Sequence, residues 1–266
     1  MSRALSSLRA RVERLGFRTL YRLADLTYAL GVATPKRTVA GTYWSHEPTN
    51  PHGDDAGLAA LDRLPTDAVV LDVGAHVGEH AIPLALGTDR RVVAFEPNGE
   101  SADRLARNAD RNGLGGRDGA GIDLRRAGLG DANATLTFYR STFSKCSAFD
   151  RESATRWGAS VAGTESVPVR RLDDLVDGVG DEGGDGVGTV PPPDAIKVDV
   201  EGHEAAVLRG ATATLATHRP LLVVEVHEAA EAAAGSDPAA LGEWLAVRDY
   251  AVEEAEDVWI CRPEEA

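Results

Sequence analysis

The chain has 266 residues, 43% of them hydrophobic and 26% charged, which is room for one well-buried α/β domain. That composition excludes a collagen-like or wholly disordered chain. A formal charge of −14 repels phosphate, so no nucleic acid is expected as a partner.

Residues 1–40 differ from the rest. They carry eight basic side chains (Arg3, Arg9, Arg11, Arg14, Arg18, Arg22, Lys36, Arg37) against Glu13 and Asp25. Leu5, Leu8, Val12 and Leu15 recur at helical spacing, predicting a helix over 3–30 that Gly31 and Pro35 end. Such an arm packs on its own domain or on a second copy in a homodimer. A basic amphipathic helix on an anionic membrane surface is the other reading. Residues 41–57 are turn-rich and read as irregular, so 1–57 is set apart from a domain over 58–266.

From residue 58 strands and helices alternate. Val69–Val73 is a buried strand, 78–87 a helix, Arg91–Phe95 a strand, 99–112 a helix and Ile122–Leu129 a third strand. Ala134–Tyr139 and Val167–Arg170 are further strands. Residues 177–194, rich in Gly and Asp and ending in three prolines, read as a flexible insertion with no core to bury. Then follow strand Ala195–Val200, helix 203–217, strand Leu221–Val226, helix 237–248 and two short strands over 250–262. The alternation predicts a mostly parallel sheet with helices on both faces, and ligands beyond the carboxyl ends of its strands. The residues closing those strands are Asp72 to Gly74, Glu96 and Pro97, Gly130 and Asp131, Asp199 to Glu201, and Glu225 to His227.

The first strand and its turn read LDVGAHVGEH. Gly74 permits a sharp turn with close ligand approach, and Gly78 lets the next helix pack tightly. Asp72 is a charge in an apolar strand, which an amine-bearing ligand would satisfy. Glu96 follows Gly74 by 22 positions, where an acid binds a ribose hydroxyl pair. A nucleoside is therefore expected. His76 stands where the dinucleotide fingerprint has its middle glycine, and Asp72 would repel a pyrophosphate. S-adenosylmethionine, with a sugar, an amino acid part and no phosphate, fits better than a nicotinamide dinucleotide. A non-catalytic nucleoside-binding module and an NAD-dependent dehydrogenase are the alternatives.

LDVGAHVGEHA, VVAFEP, RLDDL at 171–175, IKVDVEGHEAAVLRGA at 196–211 and LLVVEVHE at 221–228 together resemble the FkbM-type methyltransferases, over roughly 65–230. The resemblance implies the Rossmann-like seven-stranded methyltransferase fold. It also implies O-methylation of a hydroxyl on a sugar, glycan or secondary metabolite. Ser147, in SKCSAF, corresponds to a serine segment near the cofactor in that family.

Methyl transfer to a hydroxyl needs a positioned base. Strand alternation puts Lys197, Asp199 and Glu201 on one side, with Lys197 free to pair with Asp72 or Asp199. Asp199, His203 and His227 are the candidate bases, Glu201 a further catalytic candidate, and Asp199 also a cofactor ligand. Six histidines (46, 52, 76, 80, 203, 227) lie near loops of the ligand face, but their scatter favours no metal. Two cysteines, Cys146 and Cys261, form no cluster and suit a reducing cytoplasm. No apolar run nears the roughly 20 residues that span a bilayer, and the N-terminus lacks the order of a secretory signal. A cytoplasmic location is expected. All but three basic residues are arginines. High-salt adaptation and codon bias both account for that surface, and composition does not separate them.

Overall fold

The computed structural model describes residues 2–115, 121–176, 178, 187–226, 237–255 and 257–264, with side chains from Leu15 onward. In chain order the elements are α1 (Ser2–Leu30), β1 (Thr34–Thr38), β2 (Gly41–Ser45), α2 (Ala56–Asp62), β3 (Val69–Val73), α3 (Ala81–Ala85), β4 (Arg91–Phe95) and α4 (Gly99–Arg111). Then follow β5 (Gly121–Arg125), β6 (Gly128–Leu129), β7 (Ala134–Ser141), β8 (Val161–Arg170), α5 (Leu172–Val176), β9 (Ala195–Val198), α6 (Glu204–Arg209) and α7 (Thr212–His218). The chain closes with β10 (Leu221–Glu225), α8 (Pro238–Ala246), β11 (Tyr250–Ala255) and β12 (Val258–Pro263).

Seven strands form the central sheet in the order β11-β12-β10-β9-β3-β4-β5. From β10 to β5 every pairing is parallel, and β12 runs against both its neighbours. Alternate strand residues serve two separate cores. Leu71, Val73, Val93, Phe95, Ile196 and Val198 face one, and Val70, Val92, Ala94, Ala195 and Val223 the other. A parallel strand covered on both faces must be apolar at successive positions, which is why these segments read as continuous hydrophobic runs. β7 and β8 pair antiparallel in a second, three-stranded sheet with β6.

Several elements differ from the sequence expectations. The third strand is broken: β5 ends at Arg125, and Gly128–Leu129 joins β8 in the second sheet. The expected 203–217 helix is two helices, because Gly210 packs against the Gly130 backbone, where a Cβ would lie 1.9 Å from the carbonyl oxygen. The 41–57 stretch contains β2, which pairs with β1 about the positive-φ Gly41. Residues 187–194 do bury side chains. Val187 and Val190 enter the larger core, and the Asp194 carboxylate accepts from the Val69 amide at 2.7 Å. For 187–194 the core that the insertion was expected to lack is supplied by the sheet, while 177 and 179–186 lie outside the described residues.

α1 packs on the domain through one face. Tyr21 stacks on Phe143 with ring centroids 5.1 Å apart, Phe17 lies 5.6 Å from the same ring, and Asn108 donates to the Tyr28 hydroxyl at 2.8 Å. Leu15, Leu23, Leu26 and Leu30 stay exposed. No described helix is long and apolar enough to cross a membrane.

Candidate active site

The order in which strands are added reverses between β3 and β9: β4 and β5 extend to one side, β9 and β10 to the other. A cleft of about 180 Å³ opens there, at the carboxyl ends of the strands, where the fold leaves a crevice between diverging loops.

Glu96 closes β4 and is buried. One carboxylate oxygen accepts from the His76 amide at 2.7 Å and the other from the Asn98 amide at 2.7 Å. Burial pushes its carboxyl pKa up, against the opposing pull of His76 and these amides. The pair of fixed oxygens faces the cleft as a rigid acceptor. His76 adopts a left-handed backbone (φ +47°), and its Nε2 lies 2.9 Å from Ser144 Oγ. Its imidazole therefore occupies the path where a glycine turn would admit a pyrophosphate.

Asp72 does not face the cleft. Its carboxylate lies beneath the floor, 3.1 Å from Lys197 Nζ, both side chains almost fully buried. The charge expected to meet a ligand amine is met by lysine instead. Lys197 Nζ also donates to the Gly74 carbonyl at 3.2 Å and sits 3.5 Å from Asp199. Burial alone would lower the ammonium pKa; Asp72, Asp199 and Glu225 overcome this and raise it.

The expected alternation of 197, 199 and 201 on a strand fails because β9 ends at Val198. Asp199 and Glu201 lie on the loop beyond, where Glu201 and Gly202 both have positive φ. The buried Glu204 carboxylate holds this loop, accepting from the Gly202 amide at 3.0 Å and the Val200 amide at 3.3 Å. Glu201 is ion-paired with Arg156. His203 lines the cleft beside Phe149, and burial lowers its pKa, keeping the imidazole neutral.

Opposite stands a group the sequence did not single out. Glu79 pairs with Lys145 at 2.8 Å and lies 3.5 Å from His52 Nε2. Burial alone would raise its carboxyl pKa; Lys145, His52 and His76 hold it well below the usual range. His52 is pushed up to about 9, its hydrogen bonds to Asp55 and Glu79 outweighing burial.

Gly74, His76, Glu96, Pro97, Ser147, Asp199, Glu201 and His203 thus line one cleft. Gly78 does not: a Cβ there would meet Ile82 and Leu105, so it serves helix packing. Ser147 also clasps the wall, its Oγ accepting from the Ser141 amide at 3.0 Å. Gly130 lies outside the lining, against His203, and Asp131 is an exposed partner of Arg209. The break after β5 is the reason; it brings Ala127, Gly128 and Leu129 to the cleft in their place. His227 lies outside the described residues. Sequence pattern alone assigns no role to Ser144 and Lys145, although they belong to the SKCSAF segment, places His52 near the ligand face without a partner, and does not single out Glu79, which lies in a motif beside Gly78.

This strand order with one reversed strand, and a cleft at the switch point, define a Rossmann-like methyltransferase fold. The family model for the methyltransferase FkbM domain matches residues 72–252, and the chain belongs to that family. The chain is 33% identical over 178 residues to the hexuronic acid methyltransferase AglP of Haloferax volcanii, a match covering 67% of this chain and 61% of that protein. It is 31% identical over 227 residues to the AMB antimetabolite synthetase AmbE of Pseudomonas aeruginosa, across 73% of this chain but 10% of that one. The matches therefore span less than two thirds of both curated relatives. The crystal structure of methyltransferase FkbM from Methylobacillus flagellatus superposes with a TM-score of 0.50 at 20% identity, over 75% of this chain and 44% of that one.

Proposed function

We propose that the chain moves a methyl group from S-adenosylmethionine to a hydroxyl oxygen of a sugar acid. The observation that carries the donor is Glu96, whose two oxygens are fixed by backbone amides at the switch point, positioned to accept from a ribose diol. Gly74 lines the cleft beside it, where the missing side chain lets β3 and β9 meet, and His76 narrows the route a dinucleotide would need. The acceptor class rests on the likeness to a hexuronic acid methyltransferase, and Lys145 adds a cation to the wall.

When bound, the donor supplies a methyl carbon already activated by its sulfonium. The protein's work is then to align the acceptor and remove one proton. Glu96 and the Gly74 backbone hold the nucleoside. Phe138, Phe149 and Trp157 add apolar surface to the lining of the cleft. His203, neutral through burial, accepts the hydroxyl proton on a ring nitrogen. Asp199, held by Lys197, orients the cofactor end of the cleft. The thiols of Cys146 and Cys261, both free and buried, accord with a cytoplasmic setting.

The deciding experiment is calorimetric titration of S-adenosylhomocysteine into wild type and Glu96→Ala, followed by methyl transfer to uronic acids and to the matching neutral sugars. Binding lost in the variant and turnover on the acids alone support the reading. A folded wild-type chain without binding returns it to a non-catalytic module, and turnover on neutral sugars only overturns the acceptor.

A further inference from the structure

Behind one wall of the cleft, three segments far apart in sequence bring four metal-ligating side chains together. His52 and Asp55 come from the loop entering α2, His80 from the start of α3, and Glu225 from the end of β10. One ligand atom of each lies within 4.8 Å of the others. Ligands bound about 2.1 Å from one ion stand about 3–4 Å apart, so the widest pair has to close by about 1 Å. His52 Nδ1 is 3.1 Å from Asp55 Oδ2, and His80 Nε2 is 3.4 Å from Asp55 Oδ1. The two imidazoles meet edge to face, with centroids 4.7 Å apart, around that carboxylate.

We propose that His52, Asp55, His80 and Glu225 bind one divalent transition-metal ion, of the Zn2+ or Mn2+ kind. Once the ion displaces the proton on His52, two neutral imidazoles and two carboxylates balance a 2+ charge, and a mixed nitrogen and oxygen set favours these ions over the oxygen-seeking Ca2+ and Mg2+. With Nδ1 of His52 turned to the ion, its Nε2 stays 3.5 Å from Glu79, the carboxylate backing that orients metal-bound histidines. Asp55 is held in place because its Oδ1 also accepts from the Leu58 amide at 2.6 Å.

His52 and Glu225 line the cleft, whereas Asp55 and His80 stand behind them. A six-coordinate ion such as Mn2+ keeps two positions beyond these four ligands, and the side from which the acceptor can reach them is the cleft; a four-coordinate Zn2+ would open one by releasing a carboxylate. Its role, which rests on the sugar-acid reading above, is to take the acceptor's carboxylate or a neighbouring hydroxyl into its coordination and hold the reacting oxygen still. The cations of the cleft are already paired, Lys145 with Glu79, Lys197 with Asp72 and Arg156 with Glu201, so an acidic sugar gains a further counter-charge from the ion.

The test is calorimetric titration of the chelator-stripped full chain with Mn2+ and Zn2+, with electron paramagnetic resonance of the Mn2+ complex. One ion per chain is expected, weakened at least about tenfold in His80→Ala and in Glu225→Gln. His218→Ala, outside the cluster, is expected to bind normally. Far-ultraviolet circular dichroism and the urea midpoint of each variant report that it is folded. No saturable binding by the wild type, or binding indifferent to both substitutions, overturns the proposal. A chain that binds S-adenosylhomocysteine but no ion sinks this inference alone; one that binds the ion but no S-adenosylhomocysteine sinks the methyl-transfer reading alone.

Discussion

A Cβ placed on Gly74 would lie 1.7 Å from the carbonyl oxygen of Asp199, on the neighbouring strand end. The ends of β3 and β9 can therefore approach only with glycine at this position, whose φ of +82° already disfavours a side chain. Gly74→Ala forces the floor of the cleft apart and is expected to weaken S-adenosylhomocysteine binding by more than about tenfold, from an interaction loss above 1.4 kcal/mol. Gly87 has a similar φ of +75° but nothing within 4 Å of a Cβ. Gly87→Ala should cost about 1–2 kcal/mol of stability and leave binding unchanged. Equal binding losses in both variants would show that backbone strain, not the close approach, shapes the site.

The Lys197–Asp72 pair is almost fully buried, with Lys197 at the floor of the cleft and Asp72 beneath it. Removing the lysine alone leaves a buried carboxylate without its counter-charge, so Lys197→Met is expected to cost about 3–5 kcal/mol. Replacing both partners, as Lys197→Met with Asp72→Leu, should recover most of it. Urea denaturation of the single and double variants measures this. Because the folded-state pKa of Lys197 is raised, its contribution is fully present below the ordinary lysine value of 10.5 and is lost only on going further alkaline. Stability should therefore show no step from this pair across neutral pH.

For His203 the sign is opposite. Burial lowers its pKa, Glu204 and Asp131 push it back up, and Arg209 adds to the lowering. Its neutral form therefore persists below the ordinary value of 6.5, and the acid limb of kcat should fall below that pH. His203→Gln is expected to abolish the limb and lower kcat by about a hundredfold, with S-adenosylhomocysteine affinity unchanged. A limb that survives in the variant would assign the base to another group. The same shift means the unfolded chain takes up this proton more readily, so His203 subtracts stability as pH falls below 6.5.

Phe143 joins α1 to the cleft wall: it is almost fully buried, stacked on Tyr21, and one residue from Ser144. Phe143→Ala should cost about 3–5 kcal/mol through lost transfer energy and the cavity left behind. Hydrogen exchange should show faster opening of α1 in this variant than in wild type. Unaltered exchange would mean the arm is held mainly by the Ala24 and Tyr28 end.

The sequence by itself determined the centre of the sheet, because β3, β4, β9 and β10 are short, mostly apolar runs that end at or just before an acid or a glycine, whereas the polar β5 is shorter than its sequence pattern predicts. That signature is local, set by burial on both faces and by the turn that must follow. It marked Gly74, Glu96, Asp199 and His203 for the same reason: a strand end at the switch point is where the backbone opens to a ligand. Tertiary structure decided which charges meet. Asp72 found Lys197 across neighbouring strands instead of a ligand, Glu201 found Arg156, and Lys145 reached Glu79 from a segment with no period of its own. The same holds for His52, Asp55, His80 and Glu225, whose separations in sequence carry no signal. Side-chain pairing depends on register and loop path, and these are fixed only when the two cores close around the sheet.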